Sequence, residues 1–116
     1  MPEPLWRWSA HDLAAAIRHG AVSAHEAVIS TLERVQAVNP ALNAIVDLLA
    51  DDALAAARAA DAARQRGEAL GLLHGVPVTV KVNVDLRGRA TTNGVVAFKD
   101  NLATEDSPVV ANLRRA

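Results

Sequence analysis

The chain has 116 residues, a formal net charge of −1 at pH 7 and no cysteine, which suits one domain or part of a larger one. The missing cysteine excludes disulfides, thiol catalysis and Cys-ligated metals, and the interspersed charges provide no basic face for nucleic acid. With no run of 18 apolar residues and no signal peptide, we expect a cytoplasmic protein without a membrane span. The 51% apolar fraction overstates the core, because 25 of the residues are alanine, which buries little area.

The first part of the chain carries start and stop signals for two helices. Ser9 can cap the first helix, and Gly20 ends it. Ser23 can cap the second helix and forms a capping box with Glu26. Pro40 stops this helix, because proline lacks the amide hydrogen that an interior helical position donates. We predict helices over residues 9–19 and 23–38.

A short apolar run follows the second helix and predicts a strand over about residues 43–48. Asp51 or Asp52 then caps a third helix, and Gly67 ends it. This helix is mostly alanine, so it has strong helix propensity and little bulk. It is predicted over residues 51–66.

A strand-like run of alternating valines carries Lys81, one of only two lysines beside ten arginines. The valines share one face and the polar residues the other, which predicts a strand over residues 76–84. Burial can make a lysine amine neutral and able to accept a proton, whereas arginine stays protonated. A lysine on the polar face of a half-exposed strand is also commonly a plain solvated side chain. The spacing alone therefore fits both a catalytic base and a surface lysine.

Turn and helix signals complete the chain. The residues Thr91-Thr92-Asn93-Gly94 predict a turn, and residues 95–98 predict a short strand. Ser107 as cap and Pro108 at the first helical position begin a last helix over residues 107–115. This helix has no stop signal, so we expect the chain to be part of a longer protein.

Other residue types with catalytic potential form no site. Three serines are helix caps, Ser30 lies inside a helix, and no Gly-x-Ser-x-Gly elbow is present. The four histidines lack metal-ligand spacing, and residues 71–75 lack the Gly-Lys-Ser/Thr ending of a phosphate loop. We therefore expect no metal and no cofactor.

Two linked motifs remain. The first is Leu73-His74-Gly75-Val76-Pro77-Val78-Thr79-Val80-Lys81, and the second comprises Asn83, Asp85 and Thr91-Thr92-Asn93-Gly94. Together they resemble the first block of the amidase signature family. The preceding helices and residues 106–116 fit as well, so the resemblance covers nearly the whole chain. It departs at Val82, where the family usually has an acidic residue, and at Val95, where a small hydroxyl residue is common.

The resemblance implies an α/β fold in which residues 1–116 are the N-terminal part of a single domain, an α/β/α sandwich with a mixed sheet. It implies hydrolysis of a carbon–nitrogen amide bond through an acyl-enzyme. Lys81 would be the base of a Ser-Ser-Lys mechanism, relaying a proton through a bridging serine to the nucleophilic serine. In family members both serines and the oxyanion hole follow the part matched here.

A free lysine has a pKa of about 10.4, so a lysine that acts as a base near neutral pH needs a shift of about three units, which requires burial. In the isolated chain we expect Lys81 to be solvated. Because the chain also lacks the nucleophile and the oxyanion hole, it is predicted to be inactive.

Roles for the neighbouring residues stay open at this point. His74 lines the approach to the site or is a loop histidine held by backbone. Asn83 and Asp85 orient the amine or cap the end of the strand. Thr91 and Thr92 support a turn or touch substrate, and the turn is the favoured role.

Two other functions fit the chain. One is a non-catalytic helical interaction module, which buries the amphipathic helices and the alanine-rich helix on a partner. The other is the amidase subunit of a tRNA-linked glutamine amidotransferase. The amidase hypothesis implies a small-molecule amide as substrate, with no nucleic acid and no membrane as partner. It favours no particular amide and no oligomeric state.

Overall fold

The computed structural model describes residues 2–116, which form two compact units. A helical unit extends to Pro77, and a second unit comprises Val78–Ala116. The described residues contain four α-helices: Ala10–His19 (α1), Ala24–Leu42 (α2), Ala50–Gln65 (α3) and Pro108–Arg115 (α4). Short 3₁₀ helices lie at Leu5–Arg7 and Val96–Phe98. None of these helices is long and apolar enough to cross a bilayer.

The caps predicted for α1 and α2 are present. Ser9 Oγ accepts a 3.1 Å hydrogen bond from the amide of Asp12, and Gly20 ends α1 in the left-handed conformation with φ 75°. At α2, Ser23 Oγ accepts from the Glu26 amide at 3.0 Å, and a carboxylate oxygen of Glu26 accepts from the Ser23 amide at 2.8 Å. Each cap satisfies amides that the first helical turn leaves unpaired.

The prediction that Pro40 stops α2 is wrong, because the helix continues to Leu42. Pro40 lies in the last turn, so it removes one backbone hydrogen bond and the helix runs on for two residues. The helix ends at Asn43, which has φ 50° and donates to the carbonyl of Asn39. The side-chain amide of Asn39 also bonds both the amide and the carbonyl of Ile45, at 2.9 Å each, and so fixes the exit of the chain.

The predicted cap of α3 is also wrong. Leu49 is the N-cap residue and provides no side-chain hydrogen bond, while Asp51 and Asp52 lie in the first turn. Carboxylates in the first turn interact favourably with the positive end of the helix dipole without accepting a capping bond. The predicted cap, Asp51 or Asp52, is therefore two or three residues after the observed N-cap.

The three predicted strands are absent from the described residues. Residues 43–48 and 76–84 have no strand pairing, and residues 96–98 form a 3₁₀ helix. Within residues 2–116, β pairing is limited to one isolated antiparallel bridge, between Ala90 and Leu102. A strand needs a neighbouring strand for its backbone hydrogen bonds, and an alternating pattern predicts which side chains share a face without supplying that neighbour.

The core of the helical unit is small and lies where α1, α2 and α3 meet. Its largest fully buried side chain is Ile17, which belongs to α1. The other buried members of the cluster are Leu13, Ala24, Ala27, Val28 and Ala57. Half of this cluster is alanine, so the helices approach closely and bury little area per residue.

Asp61 of α3 holds the beginning of α2. Its two carboxylate oxygens accept hydrogen bonds from the amides of Ala24 and His25, at 2.7 and 3.1 Å. These amides belong to the first two positions of α2, and Ser23 serves the third. The N-terminal amides of α2 are thus paired by one local and one distant side chain.

The second unit is built on a short antiparallel pairing between the segments 88–91 and 101–103. The amide of Gly88 donates to the carbonyl of Ala103 at 2.8 Å, and the amide of Ala103 donates to the carbonyl of Arg89 at 3.0 Å. The amide of Thr91 donates to the carbonyl of Asn101 at 3.0 Å. The loop between these segments carries the 3₁₀ helix Val96–Phe98, and α4 follows as predicted.

Candidate active-site segment around Lys81

Lys81 lies on an exposed turn of the second unit. The amide of Val84 donates to the carbonyl of Lys81 at 3.0 Å, which closes the turn. Lys81 is exposed, and within residues 2–116 its amine has no hydrogen-bond or ion-pair partner. The amine is therefore available to groups outside this chain.

The alternation predicted for the valine segment is present over residues 80–85, although the strand is not. Val80, Val82 and Val84 are half-buried, while Lys81, Asn83 and Asp85 are exposed. Because residues 81–84 form a turn and not an extended strand, this alternation is one of exposure, and it does not place the three polar side chains on one face.

The predicted turn at Thr91–Gly94 is present and lies against the Lys81 segment. The amide of Val95 donates to the carbonyl of Thr92 at 2.8 Å, and the central residues Asn93 and Gly94 have φ 49° and 76°. Positive φ at both central positions is the geometry that the Asn-Gly pair favours. The amide of Asn93 donates to the carbonyl of Val82 at 3.4 Å, so the turn is attached one residue after Lys81.

Asp85 connects three parts of the second unit. Its side-chain Oδ1 accepts from the hydroxyl of Thr91 at 2.5 Å, and its carbonyl accepts from the amide of Ser107, the cap of α4, at 3.0 Å. Asp85 thus ties the segment that carries Lys81 to the Thr-Thr-Asn-Gly turn and to α4. The Asp85 carboxylate is engaged by Thr91, which is neither of the two roles considered from the sequence, orienting the amine or capping the end of a strand.

Asp106 provides a second anchor in this unit. One carboxylate oxygen accepts from the amide of Arg87 at 2.8 Å, and the other accepts from Nε of Arg114 at 2.7 Å. The amide hydrogen bond from Arg87, together with the charges of both arginines, lowers the pKa of Asp106 below its usual value. Asp106 precedes the Ser107-Pro108 helix start, and this role was missed from the sequence because its partners are 19 and 8 residues away.

His74 lies in the helical unit, where it is half-buried. Its Nε2 is 2.8 Å from the carbonyl of Ala60 in α3. In the tautomer that carries the proton on Nε2, the ring donates to this carbonyl. His74 is therefore held by backbone, although the partner belongs to α3 and not to its own loop.

The serines of this chain are engaged in structural hydrogen bonds. Ser9, Ser23 and Ser107 cap helices, and Ser30 Oγ accepts from the amide of Trp6 at 3.3 Å. In the described part of the chain, no three His, Asp or Glu side chains lie close enough to hold a metal ion. Within residues 2–116, Lys81 and Asn83 are candidates whose side chains have no hydrogen-bond partner.

A family model for the amidases matches residues 26–116, and known proteins match over nearly the whole chain. The chain is 58% identical over 113 residues to an indoleacetamide hydrolase of Bradyrhizobium diazoefficiens, covering 97% of this chain and 22% of that protein. It is 40% identical over 119 residues to an acylamidase of Rhodococcus erythropolis, covering 100% and 24%. The chain belongs to the amidase family.

Solved structures of amidase signature enzymes share the fold of this chain. The crystal structure of a bacterial aryl acylamidase of that family superposes with a TM-score of 0.78 at 31% identity, covering 83% of this chain and 20% of that one. A vestigial protein complex studied for the evolutionary origins of an s-triazine catabolic enzyme gives a TM-score of 0.87 at 28% identity, covering 92% and 24%. The helical arrangement described above is thus found in α/β enzymes of this family.

The chain spans less than a quarter of the length of the amidases that it matches. The similarity begins near the N-terminal helices and includes both motifs around Lys81. The family prediction is confirmed. The role of Lys81 stays a prediction, because the comparisons assign no residue.

Proposed function

We propose that this chain is the N-terminal part of an amidase that hydrolyses a carbon–nitrogen amide bond, with Lys81 as the general base. The nucleophilic serine, the bridging serine and the oxyanion hole come from protein outside the 116 residues. One observation carries the assignment: Lys81 ends the Leu73–Lys81 motif, which lies within the residues 26–116 that the amidase model matches. Its amine is also exposed and without a partner in residues 2–116, on a turn that Asn93 and Asp85 hold to the rest of the unit.

The environment that makes a lysine a base is also part of the proposal. A solvated lysine is protonated near neutral pH, and only desolvation or a neighbouring positive charge shifts it far enough to accept a proton. We propose that the remaining protein covers the turn that carries Lys81. The isolated chain, in which Lys81 is exposed, is proposed to be inactive.

The fold of the whole protein is proposed to be an α/β/α sandwich with a mixed sheet, in which both units belong to one domain. Residues 78–80 support this, because they form no backbone–backbone hydrogen bond within the described chain. A segment that carries alternating valines and has no backbone partner can pair with a strand from another part of the fold. The location is proposed to be cytoplasmic.

The substrate is proposed to be a small-molecule amide, without a cofactor, nucleic acid or membrane as partner. The relative with 58% identity is an indoleacetamide hydrolase, which makes indoleacetamide the first substrate to test. The second relative is an acylamidase, and one solved structure is an aryl acylamidase. Two of these three names indicate an aromatic group on the amide or its acceptor, and the name acylamidase does not. The panel therefore includes an aliphatic amide beside the aromatic ones.

A second candidate is the A subunit of a glutamyl-tRNA(Gln) amidotransferase. The chain is 37% identical over 112 residues to that subunit from Moorella thermoacetica and 42% identical to the one from Acidothermus cellulolyticus. These identities are below that to the indoleacetamide hydrolase. A non-catalytic helical module does not account for a family match that includes the whole of residues 78–116.

The direct test places the chain in a complete enzyme. Residues 1–116 replace the matching N-terminal segment of the Bradyrhizobium diazoefficiens indoleacetamide hydrolase, and ammonia release is measured from a panel of aromatic and aliphatic amides. We expect turnover of at least one of these amides. Lys81→Ala should lower kcat/KM by about 100-fold or more, the usual contribution of a general base.

Two further variants separate the interpretations of Lys81. Lys99→Ala removes the only other lysine of the chain, which is exposed, and should leave the rate unchanged. Lys81→Arg keeps the positive charge and cannot act as a base, so it should be as inactive as Lys81→Ala. Activity restored by arginine would show that Lys81 supplies charge alone, and full activity of Lys81→Ala would overturn the assignment.

A further inference from the structure

The turn that carries Lys81 is held by one short side-chain bond. Asp85, the residue directly after the turn, accepts a hydrogen bond of 2.5 Å from the hydroxyl of Thr91. Within residues 2–116, no other side chain of residues 81–85 forms a hydrogen bond. The backbone bond from the Asn93 amide to the Val82 carbonyl is 3.4 Å, which is long for an amide hydrogen bond. The bond between Thr91 and Asp85 is therefore the firmest link between the Lys81 turn and the segment that follows it.

Thr91 is itself fixed by its backbone. Its amide donates to the carbonyl of Asn101 at 3.0 Å, and its carbonyl accepts from the side-chain amide of the same residue at 3.3 Å. Thr91 is also half-buried, whereas Asp85 is exposed. A hydroxyl on a backbone that is paired in this way has little freedom to move. Thr91 therefore determines where the carboxylate of Asp85 lies, and not the reverse.

The position of the Lys81 amine depends on this support. The amine has no partner of its own within residues 2–116, so only its backbone restricts where it can reach. A general base must lie within hydrogen-bond reach of the proton that it accepts. A misplacement of about 1 Å can lower a rate by about 100-fold. A loose turn would therefore lower the rate even though Lys81 is intact.

Resting on the proposed function, we propose that Thr91 and Asp85 are positioning residues for the base. Their hydrogen bond holds the turn so that the Lys81 amine lies within reach of the proton that it accepts. Both residues act on the reaction through Lys81, and neither touches the substrate. The proposal thus gives the Thr91 hydroxyl a role in the rate as well as in the stability of the fold.

The test measures kcat and KM separately in the chimera with the indoleacetamide hydrolase. Thr91→Val removes the donor and should lower kcat by about tenfold or more while KM changes less than about twofold. Thr91→Ser keeps the hydroxyl and should restore most of kcat. Asp85→Ala removes the acceptor and should lower kcat by a similar factor. The double variant should lose no more than either single variant, because both remove the same bond.

A second background separates positioning from a merely structural role. In the Lys81→Ala chimera no base remains to be positioned, so Thr91→Val should change the residual rate less than about twofold. Thr104→Val is the matched control in the complete chimera. It makes the same substitution at an exposed threonine of the second unit whose side chain has no partner in residues 2–116, and it should leave kcat unchanged.

The outcomes separate this proposal from the proposed function. Full activity of both Thr91→Val and Asp85→Ala, in a chimera that Lys81→Ala inactivates, would overturn the positioning role and leave the function standing. An equal loss from Thr91→Val with and without Lys81 would also overturn it, as would a raised KM with unchanged kcat, which would place Thr91 at the substrate. Asp85→Ala, at an exposed residue, provides the same test if Thr91→Val fails to fold. Full activity of Lys81→Ala would instead contradict the proposed function.

Discussion

The hydroxyl of Thr91 donates a 2.5 Å hydrogen bond to Oδ1 of Asp85. This bond connects the turn after the Lys81 segment to the segment itself, across six positions of the chain. Because Asp85 also accepts the amide of Ser107 through its carbonyl, the loss of one hydroxyl should loosen the connections of Lys81 to both the turn and α4.

Replacing Thr91 by valine tests this connection. Thr91→Val keeps the shape and removes the donor, which should lower the free energy of unfolding by about 1 kcal/mol, measured by urea denaturation. Thr91→Ser keeps the hydroxyl and should retain most of the stability. Thr79→Val, at an exposed threonine whose side chain has no partner in residues 2–116, is the control; an equal loss there would remove the special role of the bond.

The bond between α3 and the start of α2 gives a second prediction. Asp61→Asn replaces one of the two acceptor oxygens by a donor that faces a helix amide. We expect a loss of about 1–2 kcal/mol, as for other N-terminal caps, seen as a lower midpoint in thermal denaturation followed by circular dichroism.

The control for Asp61 is Glu33→Gln, which removes the same charge from an exposed position of α2. It should change the midpoint very little. If the two variants behaved alike, net charge and not the capping bond would explain the effect.

The lowered pKa of Asp106 makes the free energy of unfolding depend on pH. Its pKa in the folded state is lowered, first by the hydrogen bond from the Arg87 amide, while the unfolded chain has an ordinary aspartate pKa of about 3.9. The unfolded state therefore binds the proton first as pH falls. The stabilisation is complete above about pH 5 and decreases as pH falls through about 3.9 towards the folded pKa.

Denaturant midpoints between pH 6 and pH 2.5 measure this effect for the wild type and for Asp106→Asn. The variant should be less stable at pH 6, and the difference should shrink as pH falls. Glu26 also has a lowered pKa, through its hydrogen bonds with Ser23, so both proteins carry the same background acid dependence. A difference that stayed constant with pH would contradict the role of the Asp106 carboxylate.

Gly75 has φ 79°, and a Cβ at this position would lie 2.8 Å from Cβ of Ala24 and 3.1 Å from Cγ2 of Ile17. Gly75→Ala should therefore cost both the left-handed conformation and a clash with the core, together about 2–5 kcal/mol. Gly67 has φ 72° and open space around a Cβ, so Gly67→Ala should cost about 1–2 kcal/mol, from the conformation alone. Equal losses in chemical denaturation would mean that the contact with Ile17 and Ala24 has no effect.

The starts of α1, α2 and α4 were predictable because their signals are local. Ser9, Ser23 and Ser107 each accept a hydrogen bond from an amide three residues further on, so a short window of sequence contains both partners. The end of α2 was missed because Pro40 removes only one bond in the last turn, while Asn39 fixes the chain beyond it. That balance depends on a contact with Ile45, which propensity alone does not reveal.

The strands and the anchors of the candidate site depend on distant partners. The alternating valines predicted the alternation of exposure over residues 80–85, yet no strand of residues 2–116 pairs with them. Asp61 and Asp106 bond residues up to 37 positions away, and neither lies in a pattern that marks such a role. Sequence predicted the candidate residue and missed the contacts that position its segment.

The carboxylate of Asp61 makes two amides of α2 depend on the integrity of α3. When α3 unravels, the amides of Ala24 and His25 lose their acceptors, although the rest of α2 keeps its own hydrogen bonds. In deuterium these two amides should therefore exchange at the rate of the α3 backbone, and they report from a neighbouring helix how often α3 opens.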